Sequence, residues 1–235
     1  MPGTLWVCAT PIGNLDDVSP RLLDTLRRVA VVCAEDTRHT LRLFSRFEIH
    51  TRLESLHEHT SEAKIAILTR RLLDGEEMAL VTDAGTPGVS DPGPALVRAA
   101  SDAGVKISPI PGPCALTSAI SVSGFDAQRF SFVGFLPRKP GRIRKLLGSY
   151  VARGETWAFY ESPFRLKKTL GFLAEVAPDA RVVVCRELTK QYEESVRGTA
   201  TEVATTFSAR GEVKGELCVV VAALVPPEDE EEGDE

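Results

Sequence analysis

Three Gly/Pro-rich loops, each set directly behind a short apolar run, constrain this chain more than any other feature. They are Ala9-Thr10-Pro11-Ile12-Gly13-Asn14-Leu15 after Leu5 to Cys8, Asp83-Ala84-Gly85-Thr86-Pro87-Gly88 after Met78 to Val81, and Pro109-Ile110-Pro111-Gly112-Pro113 after Val105 to Ile107. Gly lets a backbone approach a ligand and Pro stiffens a turn, so three such loops at the carboxyl ends of parallel strands would make one crevice. The segment from Asp83 to Gly93 also holds Pro92 and Asp91. That density of turn residues exceeds what a plain connection needs.

The rest of the pattern supports parallel strands. Runs at Leu5 to Ala9, Val29 to Ala34, Met78 to Thr82 and Val105 to Ser108 alternate with amphipathic helical patterns at Pro20 to Arg28, Thr37 to Phe47, Ser61 to Leu73 and Pro94 to Ala103. This βα alternation predicts a parallel sheet with crossover helices. After a helix starting near Pro113 the pattern changes at Gly124 to Gln128. Strands at Phe130 to Phe135, Thr156 to Tyr160, Arg181 to Arg186, Glu193 to Arg197 and Glu216 to Leu224 then outnumber helices at Ile143 to Val151, Phe164 to Val176 and Thr199 to Phe207. The expected fold is α/β in two domains, residues 1–123 with a parallel sheet and 124–225 with a mixed one. Residues 226–235, seven of them acidic, read as a disordered solubilising tail.

No apolar run approaches the ~20 residues that span a bilayer, and Met1 to Thr4 lead straight into the first strand, so a cytoplasmic protein without membrane contact is expected. The five cysteines, at 8, 33, 114, 185 and 218, include no CxxC pair and read as small buried hydrophobes in a reducing compartment, Cys114 excepted because it lies in a loop. Dinucleotide and P-loop fingerprints are both missing, which disfavours common nucleotide chemistry.

Ala34-Glu35-Asp36-Thr37-Arg38-His39 puts two acids, a base and an imidazole at the exit of the second strand. Asp36 suits a helix N-cap, with Glu35 near the helix dipole, and beside the crevice the same run supplies a candidate general base or substrate clamp. In His57-Glu58-His59 a third ligand at metal spacing is lacking, so the expectation is a substrate-facing or solvated loop and no metal. From Arg129 to Arg153 the chain carries seven basic residues and no acid, among them Arg138, Lys139, Arg142, Arg144 and Lys145. One-sided charge of this kind predicts a polyanion partner.

Taken together, the first loop, Ala34 to Arg38, Thr82 to Pro87, Asp91-Pro92-Gly93, Pro111 to Ala115, Gly134 to Lys139, Phe159 to Pro163, Arg186 to Lys190 and Lys214-Gly215-Glu216 resemble the tetrapyrrole methylase superfamily. Within it, the chain is most similar to the branch that methylates cytidine 2′-oxygens in 16S ribosomal RNA. The resemblance runs from about Leu5 to Val221. It implies two α/β domains with S-adenosylmethionine in the cleft between them, a homodimer, and 16S rRNA or the 30S ribosomal subunit as partner. By motif, Pro11, Asp83, Ala84, Gly85, Thr86, Val89, Cys114, Ala115, Glu161 and Leu188 would line the cofactor pocket. Asp36 is the first candidate base and His57 the second, and Arg38, Arg138, Lys139, Arg142, Arg144 and Lys145 would meet RNA. Members often carry His after the Glu-Ser-Pro run, where this chain has Phe164. Methylation of a tetrapyrrole or another small acceptor, and a non-catalytic RNA-binding factor, are the competing readings.

Overall fold

Strands and helices alternate from the first residues, as the spacing of the apolar runs requires. The computed structural model describes residues 1–224, and in it β1 (Thr4–Cys8), β2 (Val31–Ala34), β3 (Arg52–Ser55), β4 (Met78–Val81) and β5 (Lys106–Ile110) form one sheet in the order β3-β2-β4-β1-β5. Every pairing in it is parallel, with Leu5 opposite both Met78 and Ile107, and Val32 opposite both Leu53 and Ala79. Parallel neighbours need crossovers, supplied here by α1 (Pro20–Arg28), α2 (Thr37–Arg46), α3 (Glu62–Leu73) and α4 (Pro94–Asp102). Because strand side chains alternate, Leu5, Val31, Cys33, Met78 and Leu80 pack with Leu68, Leu72 and Leu96 on the α3 and α4 side. Their neighbours Val32, Ala34, Ala79 and Val81 pack with Leu22, Leu26, Leu43 and Phe44 on the α1 and α2 side. Two covered faces explain why β2 and β4 are buried at every residue. The helix starts follow their caps: Ser19 accepts from the N–H of Leu22 ahead of Pro20, and Ser61 accepts from that of Lys64.

The sequence pattern predicts four strands in this sheet, and the structure adds β3. Arg52-Leu53-Glu54-Ser55 has no apolar run because it is an edge strand paired on one side only. Its Glu54 is held by Arg71 of α3 at 2.7 Å, so a charged side chain takes a place that a central strand would give to an apolar one.

The second sheet holds β6 (Phe130–Phe135), β7 (Thr156–Glu161), β8 (Arg181–Arg186), β9 (Glu194–Thr199) and β10 (Leu217–Val221) in the order β6-β7-β10-β8-β9. Only β6 and β7 run parallel; the other pairs are antiparallel. Helices α6 (Pro140–Val151), α7 (Leu166–Val176) and α8 (Ala200–Ala209) contribute to its main core, where Trp157, Phe159, Val182, Val184, Val219 and Val221 meet Leu147, Leu170, Leu173 and Phe207. Burying each such Leu fully is worth roughly 1.5–3 kcal/mol.

The chain divides into two compact units after Cys114, ahead of the boundary expected at residue 124. The difference is α5 (Ala115–Ser123), which packs on β10 and β7 of the second unit. The Leu116 N–H donates to the Tyr160 hydroxyl at 3.1 Å, and Arg197 of β9 donates to the carbonyls of Val122 and Ser123 at the helix C-terminus. A cation on the last carbonyls both satisfies them and complements the helix dipole. Residues 226–235 lie outside the described residues.

Four of the five cysteines are buried and Cys114 is half-buried, none in a disulfide; burial pushes the Cys8 and Cys33 thiols up to about 12. Among the described residues no helix is long and apolar enough to cross a membrane.

At the β8–β9 edge, Glu194 receives Arg210 at 2.6 Å and Arg186 at 3.0 Å. Arg210 first, then Arg186, holds its carboxyl down to about 2 from an ordinary 4.5. A depressed folded-state value stabilises the fold above the unfolded one and loses that contribution as pH falls through the folded one. Acid titration of unfolding stability is therefore expected to show a loss between about pH 4.5 and 2 that Glu194→Gln removes. A Gln variant with an unchanged acid limb would refute it.

Candidate active site

With all five strands of the first sheet parallel, their carboxyl ends share one edge, and the three Gly/Pro loops leave the adjacent strands β4, β1 and β5 there. Such an edge, where crossovers diverge, is where open α/β sheets bind ligands. The loops are tied together by their backbones. Thr10 and Gly85 exchange N–H···O bonds of 2.9 and 3.1 Å, Thr10 Oγ1 donates to the Thr82 carbonyl at 3.3 Å, and Thr86 Oγ1 donates to the Pro113 carbonyl at 3.1 Å. Gly85 stands at φ +82, where a Cβ would also press on Ile12 at 3.3 Å. Gly93 closes the long loop at φ +131, and a Cβ there would lie 2.9 Å from Leu80 Cδ2. Both positions require glycine on conformational and steric grounds.

The loop after β2 joins the same edge. The Asp36 N–H donates to Asp83 Oδ1 at 3.0 Å, which sets the Asp83 carboxylate beside Glu35. This clasp leaves Glu35 half-buried among acids. Burial first, then the Asp83 charge, raises its pKa above the usual carboxylate range, with smaller pushes from Asp36 and Glu58.

Asp36, the first candidate base by sequence, is differently placed. It caps α2, accepting from the Arg38 backbone N–H at 2.8 Å, and its carboxylate also takes Arg38 Nε at 3.2 Å and Nη2 at 3.1 Å. The Arg38 side chain foremost, then its backbone N–H, holds the Asp36 carboxyl below its ordinary value. A paired carboxylate of lowered pKa is a poor proton acceptor. His57 lies on an exposed turn after β3, its backbone N–H on Thr60 Oγ1 at 2.9 Å and its ring 6.5 Å from that of His59. Of the two acids in the run that the sequence offers as a base or clamp, Glu35 is the one without an arginine partner among the described residues and with its pKa raised.

Of the residues expected at the cofactor, Pro11, Asp83, Ala84, Gly85, Thr86, Val89 and Cys114 gather on these loops in the first unit. Ala115, Glu161 and Leu188 belong to the second. Ala115 opens α5, and Leu188 sits between Glu187 and Thr189, which adopt φ of 51 and 67. Glu161 is buried, with both carboxylate oxygens engaged by Ser162, Arg165 and Thr169. A groove of about 440 Å³ beside α4 is lined by Val7, Leu80, Pro87, Val97, Arg98 and Asp102 among others, and none of the expected cofactor residues reaches it.

The basic residues also sort into two groups. Arg38 is spent on Asp36, and Arg144 is paired with Glu175 at 2.7 Å and lies over the Phe172 ring. Arg138, Lys139, Arg142 and Lys145 are exposed and make no ion pair or side-chain hydrogen bond among the described residues.

A doubly wound parallel sheet with its loops gathered at one edge, followed by a mixed sheet, is the architecture of the tetrapyrrole (corrin/porphyrin) methylases, and the chain belongs to that family, whose sequence model matches residues 4–204. More narrowly, a Xylella fastidiosa protein named ribosomal RNA small subunit methyltransferase I is 47% identical over 225 residues, covering 94% of this chain and 81% of its own. The Pseudomonas aeruginosa protein of the same name is 45% identical over 97% of this chain and 82% of its own. Among solved structures, a diphthine synthase superposes with a TM-score of 0.70 over 93% of this chain and 89% of its own, at 17% identity, a likeness of fold.

Proposed function

We propose that this chain is an S-adenosylmethionine-dependent methyltransferase that modifies the ribose 2′-oxygen of a cytidine in 16S ribosomal RNA, free or within the 30S subunit. The observation that carries this reading is the 47% identity, over 94% of the chain, to a protein named ribosomal RNA small subunit methyltransferase I. A homodimer working in the cytoplasm belongs to the same proposal.

The first unit's loop edge fits such a cofactor. Thr82 Oγ1 is a buried hydroxyl without a hydrogen-bond partner among the described residues, at the start of the β4 loop. The Glu35 and Asp83 carboxylates complement a cationic ligand, and the glycine-bearing loops keep backbone close to the edge. When bound, the cofactor supplies a sulfonium methyl group, whose transfer to a ribose hydroxyl leaves a neutral thioether and releases one proton. Holding nucleophile, carbon and leaving group in line is the chief task, since effective molarities can supply about 7–11 kcal/mol. The β4 and β1 loops, fixed to each other by the Thr10–Gly85 pair, give the rigidity this needs. In this reading Glu35 accepts the hydroxyl proton, its pKa raised by burial and by the Asp83 charge.

The test is transfer of labelled methyl from S-adenosylmethionine to unmethylated 30S subunits and to free 16S rRNA, with the product mapped by nucleotide digestion. Label in a 2′-O-methylcytidine is the expected result. Label confined to a small acceptor, or none despite cofactor binding, overturns the assignment.

A further inference from the structure

The second unit carries two open aromatic rings at its sheet exits. In its sheet β6 and β7 run parallel, so the residues that follow them emerge side by side at one edge. Phe135 ends β6 and is 59% exposed; Phe164 follows β7 and is 86% exposed. Phe135 meets the Tyr160 ring edge-on, with centroids 5.8 Å apart, and still leaves most of its surface in solvent. Large apolar rings this open at one sheet edge, rather than scattered singly, mark an interaction site.

Their surroundings say what covers them. Arg138, Lys139 and Arg142 follow Phe135 within one turn of the start of α6 and are unpaired among the described residues. Lys139 and Arg165, at the N-caps of α6 and α7, give those helices no side-chain cap. With seven basic residues and no acid from Arg129 to Arg153, a second copy of this face would set like charge against like. Open aromatic rings beside unpaired guanidinium and ammonium groups are the two components of single-strand nucleic-acid binding, stacking for the bases and charge for the phosphates. In an A-form duplex the base faces are already stacked on each other, so a ring can gain a base only from an unpaired strand.

We infer that the β6 and β7 exits of the second unit form a platform for single-stranded RNA, with Phe135 and Phe164 stacking on unpaired bases and Arg138, Lys139 and Arg142 holding the adjacent phosphates. This deepens the ribosomal RNA reading and rests on it. The target segment is then captured unpaired, before or apart from methyl transfer.

The test uses the full chain and fluorescence anisotropy with a labelled RNA strand of about 12 nucleotides, within the range one such surface occupies, alone and annealed to its complement, across a salt series. Phe164→Ala and Phe135→Ala are each expected to weaken single-strand binding roughly 5- to 150-fold, the cost of one lost base stack, with the salt slope unchanged. Binding of the duplex stays as it was. The double variant Arg138→Ala/Arg142→Ala is expected to weaken both forms and to flatten the single-strand slope by about 1.4, two phosphates at roughly 0.7 each. Phe164→Ala and the double arginine variant should leave thermal stability unmoved, while Phe135→Ala also loses its contact with the Tyr160 ring. Phe variants that bind the single strand like wild type, or that weaken duplex and single strand alike, overturn the platform. A change in sedimentation on Phe164→Ala does so too, by making the patch a contact between copies. Strand binding with these signatures but no methyl transfer would sink the proposed reaction and leave the platform standing. Methyl transfer to 30S subunits with unaffected Phe variants would do the reverse.

Discussion

Glu35→Gln is expected to lower kcat for methyl transfer about 10²- to 10⁴-fold, the usual contribution of a positioned base, while S-adenosylmethionine affinity changes little. Gln keeps the shape, so what is removed is the charge that takes up a proton. In the wild type the base must be ionised. Because burial and the Asp83 charge raise its pKa, activity should fall on acidification at a higher pH than an ordinary glutamate would give, and the acidic limb of the kcat profile should disappear in the variant. Asp36→Asn supplies the contrast. It keeps an N-cap acceptor for α2 and breaks the pairing with Arg38, so it should reduce activity far less. A Glu35→Gln enzyme with wild-type kcat and an unaltered pH profile would remove Glu35 from the chemistry, and loss confined to Asp36→Asn would restore the reading from sequence.

The different surroundings of these adjacent acids show where the sequence becomes silent. The run Glu35-Asp36-Thr37-Arg38 places both carboxylates at a strand exit, and the spacing alone permits either to cap the helix. Which one does depends on the backbone path out of β2. It turns Asp36 onto the Arg38 N–H and leaves Glu35 facing Asp83. Residues 47 positions apart in sequence set the environment of that clasp. No local pattern encodes it. The same holds for Arg144, which resembles its neighbours in sequence until α7 brings Glu175 and Phe172 beside it.

The fold was more legible, for a physical reason. Central strands buried on both faces must be apolar throughout, so β2 and β4 announce themselves, and the Ser19-Pro20 pair marks the start of α1. Edge strands escape that requirement. β3 is half-polar because one side of it meets no partner strand, and its carboxylate is answered by Arg71 of α3. Helix α5 was visible as a helix, but its membership was not. Ala115 to Ser123 is continuous with the β5 loop in sequence, while Tyr160 and Arg197, far along the chain, tie it to the second sheet. Long-range capture of a helix end leaves no local signature, which is why the unit boundary falls earlier than the change of pattern suggests.

The second large effect is expected from Glu161→Ala, at about 3–5 kcal/mol of stability lost, the cost of breaking a buried charge pair by removing one member. Glu161 is 2% exposed. Its Oε1 accepts from the Ser162 N–H at 2.8 Å and Arg165 Nε at 2.7 Å, and its Oε2 accepts from Thr169 Oγ1 at 2.6 Å. Arg165 continues to the Leu136 carbonyl at 3.0 Å, so one carboxylate couples the end of β7, the first turn of α7 and the exit of β6. Alanine would strand the Arg165 charge and the Thr169 hydroxyl together. Against a typical domain stability of about 5–15 kcal/mol, that loss is large. Urea unfolding can resolve it by unit, because Trp6 lies in the first and Trp157 in the core of the second. In a Trp6→Phe background, Trp157 fluorescence should report an earlier midpoint for Glu161→Ala and a smaller shift for Glu161→Gln, which keeps the bond to Thr169. If both variants unfold like wild type while S-adenosylmethionine affinity falls, the residue is a ligand contact, the role its motif implies. If stability falls and the residual folded protein still binds the cofactor normally, Glu161 acts by holding the sheet exits in place, including the one that carries Phe135.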